Sequence, residues 1–124
     1  MTLKEIGEKL VDFVKQGDNL EAIYKLYGKD IESIEAADSP QGRGRVSKGV
    51  DAVKAKNEWW AENHDVHGAS VKGPFPHGED RFCVIYSYDV TNKPSGQRFE
   101  MEEVALYTIA HGKIVREEFF YSMG

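Results

Sequence analysis

Cysteine is nearly absent from this sequence: Cys83 stands alone, so no disulfide can form within the chain and a reducing compartment is expected. Long apolar runs are missing too. No window approaches the roughly 18 apolar residues that a membrane-spanning helix needs. The opening MTLKEIGEKL carries Lys4, Glu5, Glu8 and Lys9, which does not suit the apolar heart of a signal peptide. Basic residues lack concentration. Sixteen Lys and Arg are scattered among 21 Asp and Glu, for a net charge of −5. Nucleic-acid binding rests on a dense basic face that displaces counterions, and none is visible. The acidic balance also disfavours anionic membrane surfaces. What remains is a soluble, cytoplasmic protein whose partners are small molecules or other proteins. Its 124 residues suit one domain, 1–124, with a core large enough to need neither metal nor disulfide.

What is present begins with helices. Thr2 and Glu5 form a capping box, after which Leu3, Ile6, Leu10 and Phe13 recur at helical spacing until Gly17. Asp18 with Glu21 repeats the start signal, Leu20, Ile23, Tyr24 and Tyr27 form a stripe, and Gly28 is the expected stop. Residues 31–37 read as a short strand, and SPQGRGRVSKG as a mobile loop. A third helix is predicted from Val50 to Asn63, with Val50, Val53, Asn57, Trp60 and Ala61 facing inward and His64 continuing the stripe. The period then changes to two. Strands are expected at 65–75, 81–91, 97–110 and 113–121, the last two joined by a turn at His111-Gly112. Helices followed by a strand meander imply an α+β domain with its helices on one sheet face.

A tight turn at His111-Gly112 pairs Glu102 with Tyr121, Val104 with Phe119, and Leu106 with Glu117 on one face. The other face would carry Glu103 with Phe120, Ala105 with Glu118, and Tyr107 with Arg116. Both faces mix large apolar residues with carboxylates, whereas a sheet with one wet face alternates cleanly. One face is therefore expected to line a core and pocket, and the other to be covered by a second subunit.

This order of elements resembles the NTF2-like superfamily, and specifically its SnoaL-like branch. The segments that carry the resemblance are NLEAIYKLYGKDIESIEA, GVDAVKAKNEWW and EEVALYTIAHGKIVREEFFY. The resemblance implies a cystatin-like, cone-shaped α+β barrel, three helices on a strongly curved antiparallel sheet with a deep pocket between them. It further implies a homodimer packed through the sheet. Polyketide cyclases, ketosteroid isomerases, epoxide hydrolases and dehydratases share this fold with members that have no chemistry, so fold is not reaction. In the isomerases a Glu followed by the general-base Asp ends the first strand. These positions fall on Glu35 and Ala36, and the oxyanion-hole Asp falls on Val104. Both catalytic carboxylates are missing, and isomerase chemistry of that kind does not carry over. The same alignment places Glu102, Val104, Glu117, Phe119 and Tyr121 toward the pocket.

The catalytic candidates are Glu102, Tyr121 and Glu35. A carboxyl in an apolar pocket has its pKa raised by desolvation, and a phenol beside it can supply a hydrogen bond, so Glu102 with Tyr121 could act as acid and base. The plainer alternative leaves Glu102 solvated at the rim. Glu35 enters the pocket from the first strand or else pairs with a basic group of the Gly-rich loop. Glu117 is assigned to the pocket, and Arg116 with Glu118 to an interface ion pair. Asn57, Trp60 and His64 point under the sheet, where Asn and His are more often structural hydrogen-bonders than catalysts. Val84, Tyr86 and Phe119 complete the lining, with Phe82 and Tyr88. His64 and His67 have metal-like spacing but no third ligand near them, so no metal and no cofactor are expected. Cys83 reads as a small filler.

Three readings stay open: a cofactor-free acid–base tailoring enzyme acting on a small hydrophobic molecule with polar groups, a non-catalytic binder with the same pocket, and a protein-interaction scaffold.

Overall fold

The computed structural model describes residues 1–37 and 44–121. Helix α1 (Leu3–Lys15) starts on the expected capping box: Glu5 N donates to Thr2 Oγ1 at 3.2 Å and Thr2 N to Glu5 Oε1 at 3.1 Å. It buries Ile6, Gly7, Leu10 and Val11. Gly7 is needed for close approach, since a Cβ there would lie 2.8 Å from Pro74 Cβ. Helix α2 (Asn19–Leu26) buries Ala22, Ile23 and Leu26. The expected stripe is partly wrong here: Leu20 and Tyr24 are exposed.

Strand β1 (Tyr27–Ile34) follows α2 with no loop, four residues earlier than the strand expected at 31–37. Tyr27 and Gly28 are not the end of a helix. Their backbone is drawn into the sheet, with Tyr27 pairing Ile114, and tertiary pairing overrides a weak local preference. Part of the expected Gly-rich loop is a strand, β2 (Val46–Lys48), paired with Glu32–Ile34. Residues 38–43 of that loop lie outside the described residues. Helix α3 spans Val50–Asn63, followed by β3 (His64–His77), β4 (Arg81–Asn92), β5 (Arg98–Ala110) and β6 (Lys113–Phe120).

The sheet order is β2-β1-β6-β5-β4-β3. All neighbours are antiparallel except β1 and β6, which run parallel. The expected antiparallel barrel is thus a mixed sheet that does not close, with β2 and β3 at its edges. One face meets the helices. Ile6, Leu10 and Val11 of α1, Ala22, Ile23 and Leu26 of α2 and Val53 of α3 form one core with Ile31, Phe82, Val84, Tyr86, Ala105, Tyr107 and Ile114.

The β5–β6 hairpin decides which carboxylates meet that core. Ala110 pairs with Lys113 and Ile109 with Ile114, as the two-residue turn requires. Thr108 then pairs with Arg116, leaving Val115 as an extra residue. This β-bulge shifts all later pairings by one. Tyr107 therefore faces Glu117, Ala105 faces Phe119 and Val104 faces Phe120. On β5 the expected assignment reverses. Glu102 is exposed on the outer face and Val104 lies there too, while Glu103, Ala105 and Tyr107 turn inward. On β6 the inward positions stay at Glu117 and Phe119, because the bulge precedes them.

Candidate functional site

Glu117 points inward from β6. It is 1% exposed, among the most deeply buried groups in the molecule. A buried carboxyl must be hydrogen-bonded to be tolerable, and β1 supplies both partners. Tyr27 Oη donates to Glu117 Oε2 at 2.5 Å and Ser33 Oγ donates to Glu117 Oε1 at 2.8 Å. Burial pushes the Glu117 carboxyl above the ordinary carboxylate range, and Lys56 opposes that shift with the two hydroxyls. Burial raises the Tyr27 phenol, with Glu117 adding to it, so Tyr27 remains a donor.

Lys56 on α3 connects this buried pair to the open side. Its Nζ donates to Ser33 Oγ at 2.5 Å and to Glu35 Oε1 at 2.7 Å, and lies 5.2 Å from the centre of the Phe119 ring. Because Ser33 gives its proton to Glu117, its lone pairs are free to accept from Lys56. Tyr121 Oη, just beyond β6, donates to Glu35 Oε2 at 3.0 Å. The side chains of Lys56 and Glu35 are 24% and 25% exposed, so the chain of contacts runs from the core toward solvent. Among the described residues, Arg45 donates to the backbone oxygen of Glu35, and Lys56 and Tyr121 meet its carboxylate.

Glu103 stands apart. On the inner face it pairs with Tyr86 across the strands, and no described residue hydrogen-bonds to its side chain. Burial, then the charges of Glu35 and Glu117, push its carboxyl up to about 7, with Lys56 acting in the opposite direction. Three carboxyls share one ammonium, and the one without partners gives way. Tyr86 and Tyr107 bond through their hydroxyls at 2.6 Å, so Tyr86 is occupied. Tyr88 lies diagonally from Glu103, with its ring 6.1 Å from that of Tyr86. Burial, and secondarily Glu103, hold the Tyr88 phenol protonated, and its hydroxyl has no partner among the described residues.

Farther along, Trp60 stacks on His64 at 4.5 Å and stands 5.6 Å from Tyr88, and His64 meets Phe99 edge-on at 6.5 Å. Asn57 Nδ2 is occupied with the Val53 carbonyl at 3.0 Å. His67 is spent elsewhere, on Thr91 Oγ1 at 2.6 Å, and no three His, Cys, Asp or Glu side chains among the described residues are grouped to hold a metal.

Of the sequence candidates, the structure brings Glu35, Tyr121, Glu117 and Phe119 together around Lys56. Tyr86, Trp60 and His64 lie along the same inner face, and Val84 is fully in the core. Glu102 is not among them. It sits outside, 3.4 Å from Ser87 Oγ. Sequence reading passed over Glu103, Lys56, Ser33 and Tyr27. Lys56 was findable, since it falls three residues after Val53 and four before Trp60 on one helical face. Ser33 follows from the alternation Ile31, Ser33, Glu35. Two surface hollows lie elsewhere. One of about 270 Å³ is lined by Met1, Phe13 and Leu26, and a shallower one of about 590 Å³ lies across the outer sheet face at Ser87 and Glu102.

Comparison with solved structures gives the same architecture. A SnoaL-like polyketide cyclase candidate from Mesorhizobium loti, also labelled a carbohydrate phosphatase, is 45% identical with TM-score 0.90, covering 98% of this chain and 100% of that one. An NTF2-like protein from Burkholderia thailandensis is 20% identical, TM-score 0.82, covering 98% and 92%. A protein with a cystatin-like fold from Xanthomonas campestris is 16% identical, TM-score 0.78, with the same coverage. A comparison with curated proteins finds no match. The SnoaL-like domain model matches residues 1–121, in keeping with the three helices on a mixed sheet: the chain belongs to the SnoaL-like domain family.

Proposed function

We propose that this protein performs cofactor-free acid–base chemistry on a small hydrophobic carbonyl compound, with Glu103 as the proton-transfer group in the role first given to Glu102. One observation carries the reading. Glu103 is an inward carboxyl with no hydrogen-bond partner among the described residues, held near pKa 7 by burial and two neighbouring carboxylates, where it can both take and return a proton at neutral pH. As carboxylate it removes a proton from carbon next to the carbonyl. The electron pair of the broken C–H bond passes to the carbonyl oxygen, and the Tyr88 hydroxyl is the donor nearest to stabilise the oxyanion. The protonated Glu103 then returns its proton to the product. Glu35, Lys56 and Tyr121 set the charge around it.

The description of the Mesorhizobium loti relative as a polyketide cyclase candidate is compatible with this class of reaction. The protein acts in the cytoplasm as a homodimer through the outer sheet face. There Ile85, Val104 and Phe120 lie in one row across three strands, and Phe75, Cys83 and Leu106 in the next, with Phe120 48% exposed.

The experiment is hydrogen–deuterium exchange at the methyl group of para-acetylbiphenyl in deuterated buffer at neutral pH, followed by proton NMR. The wild type should accelerate exchange over buffer, and Glu103→Gln should remove the acceleration. Binding of the probe without accelerated exchange would favour a non-catalytic ligand-binding protein.

A further inference from the structure

Among the described residues, His64 holds a polar atom on the inner face that the acid–base reading does not use. His64 caps α3: its Nδ1 lies 2.8 Å from the Trp60 carbonyl oxygen. A carbonyl can only accept, so Nδ1 carries the proton, and in the neutral ring Nε2 is left with an unshared pair. No described residue hydrogen-bonds to Nε2. No buried side-chain nitrogen or oxygen among the described residues lacks a partner, so Nε2 opens to a space that solvent or a ligand reaches. The same holds for the Glu103 carboxyl and the Tyr88 hydroxyl.

These open atoms are separated by an apolar stretch. On β5 the inward residues from Glu103 are Met101 and then Phe99, and Phe99 is the residue that His64 meets. Four residues of extended strand span about 13 Å. Between the ends lie Met101, the Trp60 ring and the ring of Tyr88, which present a largely apolar, aromatic surface. A molecule lying along this face meets a proton-transfer group and a phenol donor at one end, an aromatic wall in the middle, and a lone acceptor at the other end.

Resting on the acid–base reading, we infer that His64 is a specificity-determining residue: its Nε2 accepts a hydrogen bond from a hydroxyl or N–H at the end of the substrate remote from the reacting carbonyl, selecting elongated, largely aromatic molecules that carry such a donor. Its ring stacks on Trp60 and is fixed by the Trp60 carbonyl, so the acceptor is held in place before the ligand arrives. A hydrogen bond of this sort contributes selectivity of about tenfold.

The test uses two probes, para-acetylbiphenyl and its analogue bearing a hydroxyl at the far para position, with affinities measured by titration calorimetry. Wild type should bind the hydroxylated probe about tenfold more tightly. His64→Phe keeps the ring against Trp60 and removes Nε2, so it should abolish that preference while leaving the plain probe's affinity unchanged. Should the Phe variant fold poorly, His64→Leu makes the same comparison with neither a ring nor an acceptor. If His64 matters only as a helix cap, both probes will weaken together, and the inference fails. Equal binding of the two probes by wild type, or binding of neither, also overturns it. The Glu103→Gln variant separates the two claims. Loss of methyl exchange with the hydroxyl preference intact supports both. Unchanged exchange in that variant sinks the acid–base reading while the hydroxyl preference stands or falls on its own measurement.

Discussion

Replacing Glu103 by Gln should stabilise the protein in alkaline solution and leave it unchanged in acid. The unfolded chain holds this carboxyl near its ordinary 4.5, and the folded chain pushes it up to about 7. The folded state therefore binds the proton more tightly, and between these two values it carries more protons than the unfolded state. Stability must then fall as pH rises through this window, with the full cost present above the folded value. A difference of this size corresponds to about 3 kcal/mol at pH 8 as an upper estimate. Gln reproduces the shape and neutrality of the protonated acid. Glu103→Gln should thus match wild type at pH 4 and exceed it by up to this amount at pH 8, a rise of roughly 6–12 °C in Tm. Urea unfolding followed by circular dichroism across the range gives the difference directly. Some pH dependence will persist in the variant, because burial raises Glu117 in the same direction. Equal destabilisation of the variant at both pH values would refute the reasoning, since it would mean that Glu103 makes favourable contacts as a carboxylate.

Lys56→Met should destabilise by about 2–4 kcal/mol, because it leaves Glu35 and Glu117 without their cation, and it should move the Glu103 midpoint upward in an NMR titration. A lowered midpoint would contradict the charge arrangement. Gly7→Val should cost about 1–3 kcal/mol in thermal unfolding, since its side chain meets the Pro74 ring. Phe120→Glu on the outer face should convert a dimer to a monomer in light scattering without disturbing the Glu103 titration. Wild type eluting as a monomer would remove the dimer from the account.

Much of the fold was legible because its signals are local. The capping box at Thr2 and Glu5 starts α1 where expected, and period-two alternation from Arg81 onward gives β4 and β5. The turn at His111-Gly112 is also where the pattern puts it. The start of β1 was not legible. Tyr27 continues the helical stripe of α2 in sequence, and only its long-range pairing with Ile114 makes it a strand. The candidate site was legible on β6 and not on β5. Glu117 and Phe119 keep the inward places that alternation assigns them, whereas Val115 inserts one residue into the ladder and exchanges Glu102 for Glu103. Nothing in the run KIVREEFF announces that bulge, because its cost and benefit depend on how β6 fits between β1 and β5. Lys56 illustrates a different difficulty. A lysine on an otherwise apolar stripe looks like a boundary residue until three carboxyls from three strands are seen to converge on it.

The inward carboxyl on β5 is Glu103, and its surroundings push it up to about 7. Carbon-13 NMR titration of glutamate side-chain carboxyls, assigned with Glu102→Gln and Glu103→Gln, tests this most directly. One resonance should titrate near pH 7, disappear in Glu103→Gln and persist in Glu102→Gln. A high midpoint that vanishes instead in Glu102→Gln, with Glu103 titrating as an ordinary solvated carboxylate, would contradict it.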